Sequence, residues 1–250
     1  MDNPKSKTLF HFTKSKEAFY SILENGLKFI YNEERYNDVF HYALPMICFC
    51  DMPLTMIGEH TIKYGSFGIG FNKNKMINNY WKLLNPVNYI FSKNLLDGAE
   101  SFLEIAKKRF NEEDEKSKKL YKLAINQLAF MKPYADQKNK QVLYNECEWR
   151  LIVPDNSHIK KYKPINWFWD EEEYQKFKEA HKDPMDTHLP IFNFKPEEVR
   201  FILVGKSISR CVIIDKILNM KTFGGNKIKK DQRYELLTKV VFLDEIKVNY

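Results

Sequence analysis

The feature that most constrains the fold is residues 144–153, which read Tyr-Asn-Glu-Cys-Glu-Trp-Arg-Leu-Ile-Val. Aromatic, β-branched and apolar residues dominate this stretch and Pro154 follows it, so the pattern predicts a β-strand. Because strand side chains alternate between faces, Glu146 and Glu148 would lie on the same face. Neighbouring carboxylates are costly when buried, because they repel each other and the pKa of one of them rises. Two interpretations stay open: a solvated edge strand with Arg150 as counter-charge, or a pair of glutamates used in chemistry.

Composition indicates a globular chain that needs no disulfide bonds. The 250 residues are 44% hydrophobic and 29% charged, which is enough apolar material to bury a full core. No apolar run approaches the roughly 20 residues of a membrane span, and the first residues lack the apolar segment of a signal peptide. We therefore expect a cytoplasmic protein with no membrane partner, whose four cysteines are reduced. Cys48 and Cys50 have no matching Cys or His pair, so no metal site is predicted.

The chain is basic, with a formal net charge of +7 at pH 7 and an isoelectric point of about 9.0. A basic balance favours anionic partners such as nucleic acid or the phosphates of a dinucleotide. It places no constraint on the fold.

The order of predicted elements indicates one α+β domain over residues 1–250. Short strands alternate with helices, of which the first spans about Lys16–Asn25. The strands are predicted at 9–13, 45–53, 65–71, 85–90, 144–153, 199–204 and 240–243. The glycines of 65–71 indicate close approach by another backbone or a ligand, whereas 31–42 has no clear period and is interpreted as a loop. From about 95 to 132 two apolar stripes separated by a charged run predict a helical insertion.

Three motifs, in this order along the chain, resemble those of the ADP-ribosyltransferase fold. The first is a strand and helix carrying His11, Thr13, Ile22, Leu23, Gly26 and Leu27. The second is Ile47–Asp51, and the third is Tyr144–Glu148. The order is most similar to the diphtheria-toxin-like and poly-ADP-ribose-polymerase-like branch. This resemblance implies an ADP-ribosyltransferase-like split mixed/antiparallel sheet with the helical insertion between its strands.

Three motifs, in order along the chain, resemble those of the AbiG-type abortive-phage-resistance family. They are Cys48–Pro53, His60–Phe71 and Glu146–Arg150. This resemblance covers the chain well up to the end of the glutamate strand and loosely beyond it. The His-x-Thr opening and the glutamate strand are also similar to DarT toxins, which modify DNA bases.

Together these resemblances imply an NAD-dependent ADP-ribosyltransferase that acts as a toxin of an anti-phage toxin–antitoxin system. NAD would be the co-substrate, and the acceptor would be nucleic acid, either RNA or DNA, or a host or phage protein. Breaking the glycosidic bond of NAD passes through an oxocarbenium-like state, which a nearby carboxylate stabilises. Glu148 would supply that carboxylate and Glu146 would position or deprotonate the acceptor. Alignment with the polymerase-like branch would exchange the two roles.

The same resemblance implies a set of cofactor-binding residues, which are His11, Phe12, Thr13, Phe49 and Tyr64. His11 would bind a ribose hydroxyl, and Thr13 would lie at the strand edge beside the nicotinamide amide. In the polymerase-like branch a tyrosine stacks on the nicotinamide, but Cys48 stands at that position here. Phe49 or Tyr64 would then provide the stacking surface.

The polar loop predicted from Lys132 to Tyr144 would be the target-recognition loop. Tyr134 could stack on a base while Lys138 and Lys140 contact phosphates. The alternative is an ordinary solvated loop, since lysines are usual in such segments.

Two other functions stay open. A catalytically inactive binding module or antitoxin, paired with a cognate protein, is favoured by Cys48, whereas the paired glutamates favour the transferase. A nucleic-acid-binding protein with no dependence on NAD is supported by the net charge alone.

Overall fold

The computed structural model describes residues 6–36, 40–110, 113–136, 141–153, 171–180 and 189–249. Its strands are β1 Thr8–Thr13, β2 Leu27–Lys28, β3 Ile30–Tyr36, β4 Phe40–Asp51, β5 Phe67–Asn72, β6 Leu84–Pro86, β7 Asn88–Ile90, β8 Met131–Pro133, β9 Ala135–Asp136, β10 Gln141–Val142, β11 Glu148–Ile152, β12 Ile191–Phe192, β13 Val199–Val204, β14 Thr222–Phe223, β15 Asn226–Lys227 and β16 Val240–Phe242. Its α-helices are α1 Lys16–Asn25, α2 Gly58–Tyr64, α3 Lys73–Tyr80, α4 Lys93–Lys108, α5 Glu115–Ala129, α6 Glu171–Ala180, α7 Arg210–Asn219, α8 Lys230–Leu237 and α9 Leu243–Asn249.

Internal contacts divide the chain into two compact units, each made of separate stretches of sequence. The first unit contains residues 1–29, 47–84 and 190–250, and the second contains residues 30–46 and 85–189. The sequence patterns predict one domain, because no linker-like composition marks the points where the chain passes from one unit to the other.

The first unit is built on strands in the order β16–β13–β5–β1–β4, to which β4 contributes its residues from Ile47 onward. Neighbouring strands pair antiparallel, except that β13 and β16 are parallel. One apolar cluster of this unit consists of Phe10, Cys50, Met52, Ile57, Leu203 and Leu243. The first unit therefore combines helices with a sheet that has both parallel and antiparallel strand pairs. That this sheet has the specific ADP-ribosyltransferase-like arrangement stays a prediction.

Helix α1 has the bounds that the sequence predicts, so this prediction is confirmed. The Ser15 hydroxyl oxygen accepts a hydrogen bond from a backbone N–H of the first turn at 3.1 Å, as an N-cap residue does. Gly26 follows the last residue with a φ of 94°, a conformation that side chains disfavour. Phe19 and Leu23, one helical turn apart, are both buried.

The glycines of β5 make room for the rings of β1. Gly70 lies opposite Phe10 and Gly68 lies opposite Phe12 in the antiparallel register. A Cβ atom on Gly70 would come within 2.7 Å of the Phe10 ring, and one on Gly68 within 2.8 Å of the His11 carbonyl oxygen. The close approach predicted for this strand is therefore made by the neighbouring strand.

In the second unit, β3 and the first part of β4 form an antiparallel hairpin that begins with Ile30 opposite Met46. The prediction of a loop over 31–42 is wrong for residues 31–36 and 40–42, which lie in these two strands. Polar residues such as Glu33 and Glu34 have a low strand propensity, so the composition of this stretch does not indicate a strand. Pairing with β4 overrides that low propensity.

Helices α4 and α5 lie where the sequence predicts the helical insertion, and they pack against each other in the second unit. Their shared core consists of Leu103, Ala106, Ala124, Ile125, Leu128 and Met131. Strand β7 precedes the helices, β8 follows them, and the two strands pair in parallel. The register places Asn88 opposite Met131, Tyr89 opposite Lys132 and Ile90 opposite Pro133. The helix pair is the long crossover that parallel strands require.

Three further properties concern the described residues. None of their helices is long and apolar enough to cross a membrane. None of the four cysteines forms a disulfide bond with another cysteine of the described residues. In this part of the chain, no group of three or more His, Cys, Asp and Glu side chains is placed to hold a metal ion.

We expect Gly65→Ala to lower the free energy of unfolding by about 1–3 kcal/mol, because an alanine there would be strained. Gly65 ends α2 with a φ of 112°, and a Cβ atom would lie 2.2 Å from the carbonyl oxygen of Thr13. Urea denaturation measures the difference. Gly58→Ala is the control, since nothing lies within 4 Å of its Cβ position. Equal stability of both variants would contradict the strain assigned to Gly65.

Candidate functional site

The two glutamates lie on either side of a tight turn. Leu143–Glu146 forms a 3₁₀ turn, Cys147 is left-handed with φ 45° and ψ 45°, and β11 begins at Glu148. The N–H of Cys147 closes the turn by donating to the carbonyl oxygen of Tyr144 at 3.1 Å. The prediction of one strand over 144–153 is therefore correct for β11 and wrong for the residues before it.

Lys132 joins the two carboxylates. Its Nζ donates to Oε2 of Glu146 at 2.8 Å and to Oε2 of Glu148 at 2.9 Å. Lys132 lies opposite Tyr89 in the register of β7 and β8, so both side chains leave the same face of the strand pair. The Tyr89 hydroxyl oxygen accepts from the backbone N–H of Glu148 at 2.9 Å. The Lys132 side chain therefore links the two glutamates to β8, and the Tyr89 hydroxyl links the backbone of Glu148 to β7.

Arg150 is fully buried, with 0% of its surface exposed, and its five N–H groups all have acceptors. Nε donates to Oε1 of Glu148 at 2.8 Å. One terminal nitrogen donates to the Tyr42 hydroxyl at 2.9 Å and to the Ala129 carbonyl oxygen at 2.8 Å. The other donates to Glu34 in a close ion pair and to Oε2 of Glu148 at 3.3 Å.

We name the group of Glu34, Lys132, Glu146, Glu148 and Arg150 the acid–base network. Glu146 is 7% exposed and Glu148 is 8% exposed, so the interpretation as a solvated edge strand is wrong. The two glutamates are buried together because Lys132 lies between them and Arg150 neutralises Glu148 from the other side.

The network fixes the charge of its members. Burial alone would raise the pKa of Glu148, but Arg150 and Lys132 outweigh burial and lower it to about 2. Burial alone would lower the pKa of Lys132, but the carboxylates of Glu34, Glu148 and Glu146 raise it above its ordinary value. The prediction that one of two buried neighbouring glutamates has a raised pKa is therefore wrong for Glu148.

This electrostatic environment limits the chemistry of Glu148. An efficient general acid or base has a pKa near the working pH, whereas Glu148 stays ionised far below it. Both of its oxygens already accept hydrogen bonds from cationic groups. These three hydrogen bonds take up most of the roughly four acceptor sites of the carboxylate, and with Glu148 only 8% exposed little of it is accessible to a substrate hydroxyl.

His11 is oriented by the backbone of the first unit. Its Nδ1 donates to the carbonyl oxygen of Cys48 at 2.9 Å, and its ring meets that of Phe49 edge-on with centroids 6.1 Å apart. Burial lowers the pKa of His11, and the hydrogen bond to Cys48 only partly offsets this. His11 is therefore a neutral imidazole at neutral pH.

Two aromatic candidates of the first unit pack against neighbouring rings. Phe49 is 2% exposed and contacts Phe71 edge-on at a centroid distance of 5.7 Å. Phe12 stacks on Phe10 at 5.8 Å.

The other two candidates of the first unit lie near the end of α2. Tyr64 has its ring 5.5 Å from that of His60, and the Nζ of Lys63 lies 4.9 Å from the Tyr64 ring centroid. The carbonyl oxygen of Thr13 faces Gly65, the residue after Tyr64.

The sequence-predicted residues thus fall into two groups. The structure brings His11 and Phe49 together in the first unit, and Glu146 and Glu148 in the second. Their NAD-binding and catalytic roles stay predictions. Lys138 and Lys140, predicted to contact phosphates, lie outside the described residues.

Tyr134 belongs to an aromatic row in the second unit. Its ring stacks on that of Tyr144 with centroids 5.4 Å apart and an interplanar angle of 21°. Tyr144 in turn meets Tyr89 edge-on at 5.4 Å. Tyr134 therefore already has one ring face covered.

The sequence reasoning missed three members of the site. Glu34 lies in the stretch that the sequence predicts as a loop, and Lys132 begins the predicted polar loop. Tyr42 gave no signal, because its role depends on a partner far away in sequence. Only the spacing of Glu148 and Arg150, two residues apart on a strand, could have indicated their ion pair.

We expect Arg150→Met to lower the free energy of unfolding by about 3–5 kcal/mol, because it leaves the buried Glu148 and the partly buried Glu34 beside one cation fewer. Chemical denaturation measures the loss. Arg109→Met is the matched control, an exposed arginine of the same unit, and we expect it to change stability by less than about 0.5 kcal/mol. Similar losses for both variants would mean that Arg150 does not hold the network together.

The lowered pKa of Glu148 predicts a loss of stability in acid. A carboxyl group whose pKa falls from 4.5 to about 2 on folding stabilises the fold above its unfolded pKa and loses this contribution as the pH falls towards its folded pKa. We expect this contribution to be on the order of 3 kcal/mol.

Denaturation at about pH 7 and about pH 3 tests this expectation. Glu148→Gln should be less stable than wild type at the higher pH and should lose less on acidification. Glu104→Gln, an exposed glutamate of the same unit, should keep the wild-type dependence on pH. Parallel curves for wild type and Glu148→Gln would rule out the stabilising role of the ionised carboxylate.

Comparisons with known proteins identify the family. The sequence model described as "Putative abortive phage resistance protein AbiGi, antitoxin" matches residues 19–205. A relative described as abortive phage resistance protein AbiGi, from Lactococcus lactis subsp. cremoris, is 25% identical over 231 residues, covering 84% of this chain and 90% of the relative. No solved structure matches the chain. The predicted resemblance to abortive-phage-resistance proteins is confirmed, and the chain belongs to the AbiGi family.

Proposed function

We propose that this chain is an antitoxin, a non-catalytic protein that binds a cognate toxin protein of an abortive-infection system and blocks the toxin's effect on growth. The family description supports this function, because it names the AbiGi protein as an antitoxin. The match extends over most of the chain, so the proposal concerns both units.

The main support for this proposal is the way in which the carboxylate of Glu148 is already bound within the protein. In a transferase of the predicted kind this carboxylate has to meet the ribose of NAD and stabilise the positive charge that develops there. Here Arg150 and Lys132 donate three hydrogen bonds to the carboxylate of Glu148, which has about four acceptor sites. Two cations already neutralise this buried carboxylate, so it has little charge and little surface left to offer the ribose of NAD.

Two observations on the first unit also support a non-catalytic role. Under the predicted resemblance to the polymerase-like branch, Cys48 would take the place of the stacking tyrosine, and its carbonyl oxygen accepts a hydrogen bond from the ring of His11. Phe49, the nearest aromatic substitute in sequence, is buried against Phe71.

Paired expression in a bacterial host tests the proposal. We expect the chain alone to leave growth unchanged, and its co-expression with the toxin encoded beside it to restore growth and give a complex that co-purifies. Calorimetry with NAD should detect no binding. Glu104→Gln, exposed at the surface, should neutralise as well as wild type.

The transferase makes the opposite prediction. It requires that the wild-type chain alone arrests growth, and that Glu148→Gln relieves the arrest while Glu104→Gln does not. It also requires labelled NAD to pass its label to RNA, DNA or protein from a lysate. These results together would overturn the antitoxin proposal.

A further inference from the structure

The two units carry formal charges of opposite sign. The first unit contains 21 lysine and arginine residues and 12 aspartate and glutamate residues, so its formal charge is 21 − 12 = +9. The second unit contains 19 basic and 21 acidic residues, so its formal charge is 19 − 21 = −2. Together they give the +7 of the whole chain. The basic character of the chain therefore belongs to the first unit, and such an asymmetry is a feature of proteins that bind polyanions.

Part of this charge is concentrated in one short stretch of the first unit. Residues 216–230 contain five lysines and no aspartate or glutamate, and they comprise the end of α7, strands β14 and β15 and the start of α8. Lys221, Lys227, Lys229 and Lys230 are all exposed, and we name these four residues the basic hairpin. Among the residues that the structure describes, none of their ammonium groups has a carboxylate partner.

Strand pairing brings the lysines of the basic hairpin together. Thr222, the residue after Lys221, lies opposite Lys227 in the antiparallel register. The N–H of Ile228 donates to the carbonyl oxygen of Lys221 at 3.3 Å, and Lys229 is the N-cap residue of α8. Like charges held close to one another repel and lower stability. A bound anion would relieve this repulsion.

The backbone of the hairpin is fixed to the end of α1. The N–H of Gly224 donates to the carbonyl oxygen of Leu23 at 2.7 Å. The N–H of Gly225 donates to the carbonyl oxygen of Glu24 at 2.9 Å. Phe223 is buried and anchors the hairpin to the core of the first unit. The backbone that carries the lysines is therefore ordered before any partner binds, which lowers the entropy cost of binding.

Helix α8 extends the basic surface. Tyr234 follows Lys230 by one helical turn, so the two side chains lie on one face, and Tyr234 is 53% exposed. The helix has two carboxylates, of which Glu235 is paired with Lys239 at 2.5 Å, while Asp231 lies in its first turn. Residues 216–235 contain six basic and two acidic residues, which gives 6 − 2 = +4. The surface thus stays positive on the side of α8.

The chemistry of this surface fits phosphate groups better than another protein. Lysine is depleted in protein–protein interfaces, whose centres consist mainly of aromatic and other apolar side chains. The large apolar residues of the hairpin, Phe223 and Ile228, are buried and cannot form such a centre. Exposed lysines supply the sequence-independent contacts to the phosphates of nucleic acids. An aromatic ring beside them, such as that of Tyr234, can stack on an unpaired base.

We propose that the basic hairpin binds the phosphate backbone of a nucleic acid. This inference goes beyond the proposed antitoxin function and does not depend on it. It gives the first unit a second partner of different chemistry and locates the surface that binds it.

Fluorescence anisotropy with labelled probes tests the inference, using single-stranded RNA and duplex DNA of the same sequence at NaCl concentrations from about 50 to about 200 mM. The logarithm of the association constant should fall linearly with the logarithm of the salt concentration. If all four lysines contact phosphates, we expect a slope of about −2.8 on the single strand and about −3.6 on the duplex.

The variant that carries both Lys227→Gln and Lys230→Gln removes two of these contacts. We expect its slope to be about half that of wild type, and its affinity at about 0.1 M NaCl to be about 25-fold lower on the single strand and about 60-fold lower on the duplex. The exposed positions of both lysines predict an unchanged midpoint of urea denaturation. Unchanged affinity and slope in this variant would overturn the inference.

Two controls separate the surface from the net charge. Lys227→Arg with Lys230→Arg keeps both charges and should bind within about threefold of wild type with the same slope. Lys93→Gln with Lys107→Gln removes the same charge from exposed positions of the second unit and should also bind as wild type does. Equal losses in the two glutamine variants would mean that only net charge matters, and would overturn the assignment to the basic hairpin.

Tyr234→Ala distinguishes the two kinds of nucleic acid. A loss of affinity for the RNA alone would identify an unpaired strand as the ligand, because only unpaired bases can stack on the ring. Wild-type affinity of Tyr234→Ala for both probes would identify the backbone alone as the ligand.

The experiment also keeps this inference apart from the proposed function. The anisotropy measurement contains no toxin, so the absence of nucleic-acid binding at low salt would overturn the inference and leave the antitoxin function standing. If the Lys227→Gln and Lys230→Gln variant instead lost only its complex with the toxin, the basic hairpin would be a protein interface, and the inference would again be overturned.

Discussion

A guanidinium group without access to water must find five acceptors within the protein, and Arg150 finds them by drawing together four stretches of the second unit. Glu34 comes from β3, Tyr42 from β4, Ala129 from the end of α5 and Glu148 from β11 itself. Desolvating charged groups is costly, and apolar replacements of such clusters are often at least as stable. We infer that the network is kept because it specifies one arrangement of these stretches.

That arrangement determines what the second unit presents at its surface. Lys132 ties the turn before β11 to strand β8, and Tyr89 ties it to strand β7. The rings of Phe91, Tyr134, Tyr144 and Tyr89 are positioned by the same two strands and the same turn. The largely buried charged groups therefore fix a row of aromatic rings, of which Phe91 and Tyr144 are exposed.

The parts of the structure that could be predicted from sequence are those with local causes. Helix α1 has a serine cap, an apolar stripe and a terminal glycine, so its bounds follow from neighbouring residues. The hairpin of β3 and the turn at Cys147 depend on partners elsewhere in the chain, and composition gave the wrong answer for both. The two glutamates were recognised as a site, but their chemistry was not, because Lys132 reaches them only through the pairing of β7 with β8. The family was recognised from motif order, while the ADP-ribosyltransferase-like sheet and its use of NAD stay predictions.

The parallel pairing of β7 with β8 also has a consequence for the order in which the second unit folds. These strands can meet only when the whole segment that contains α4 and α5 has closed into a loop. Such closure costs entropy before any strand contact can compensate for it, whereas contacts between successive helices form quickly. We infer that the helical hairpin forms early, and that the rings and charged groups assemble only once β11 has left the ribosome. In a nascent chain, this part of the second unit would thus assemble in one late step.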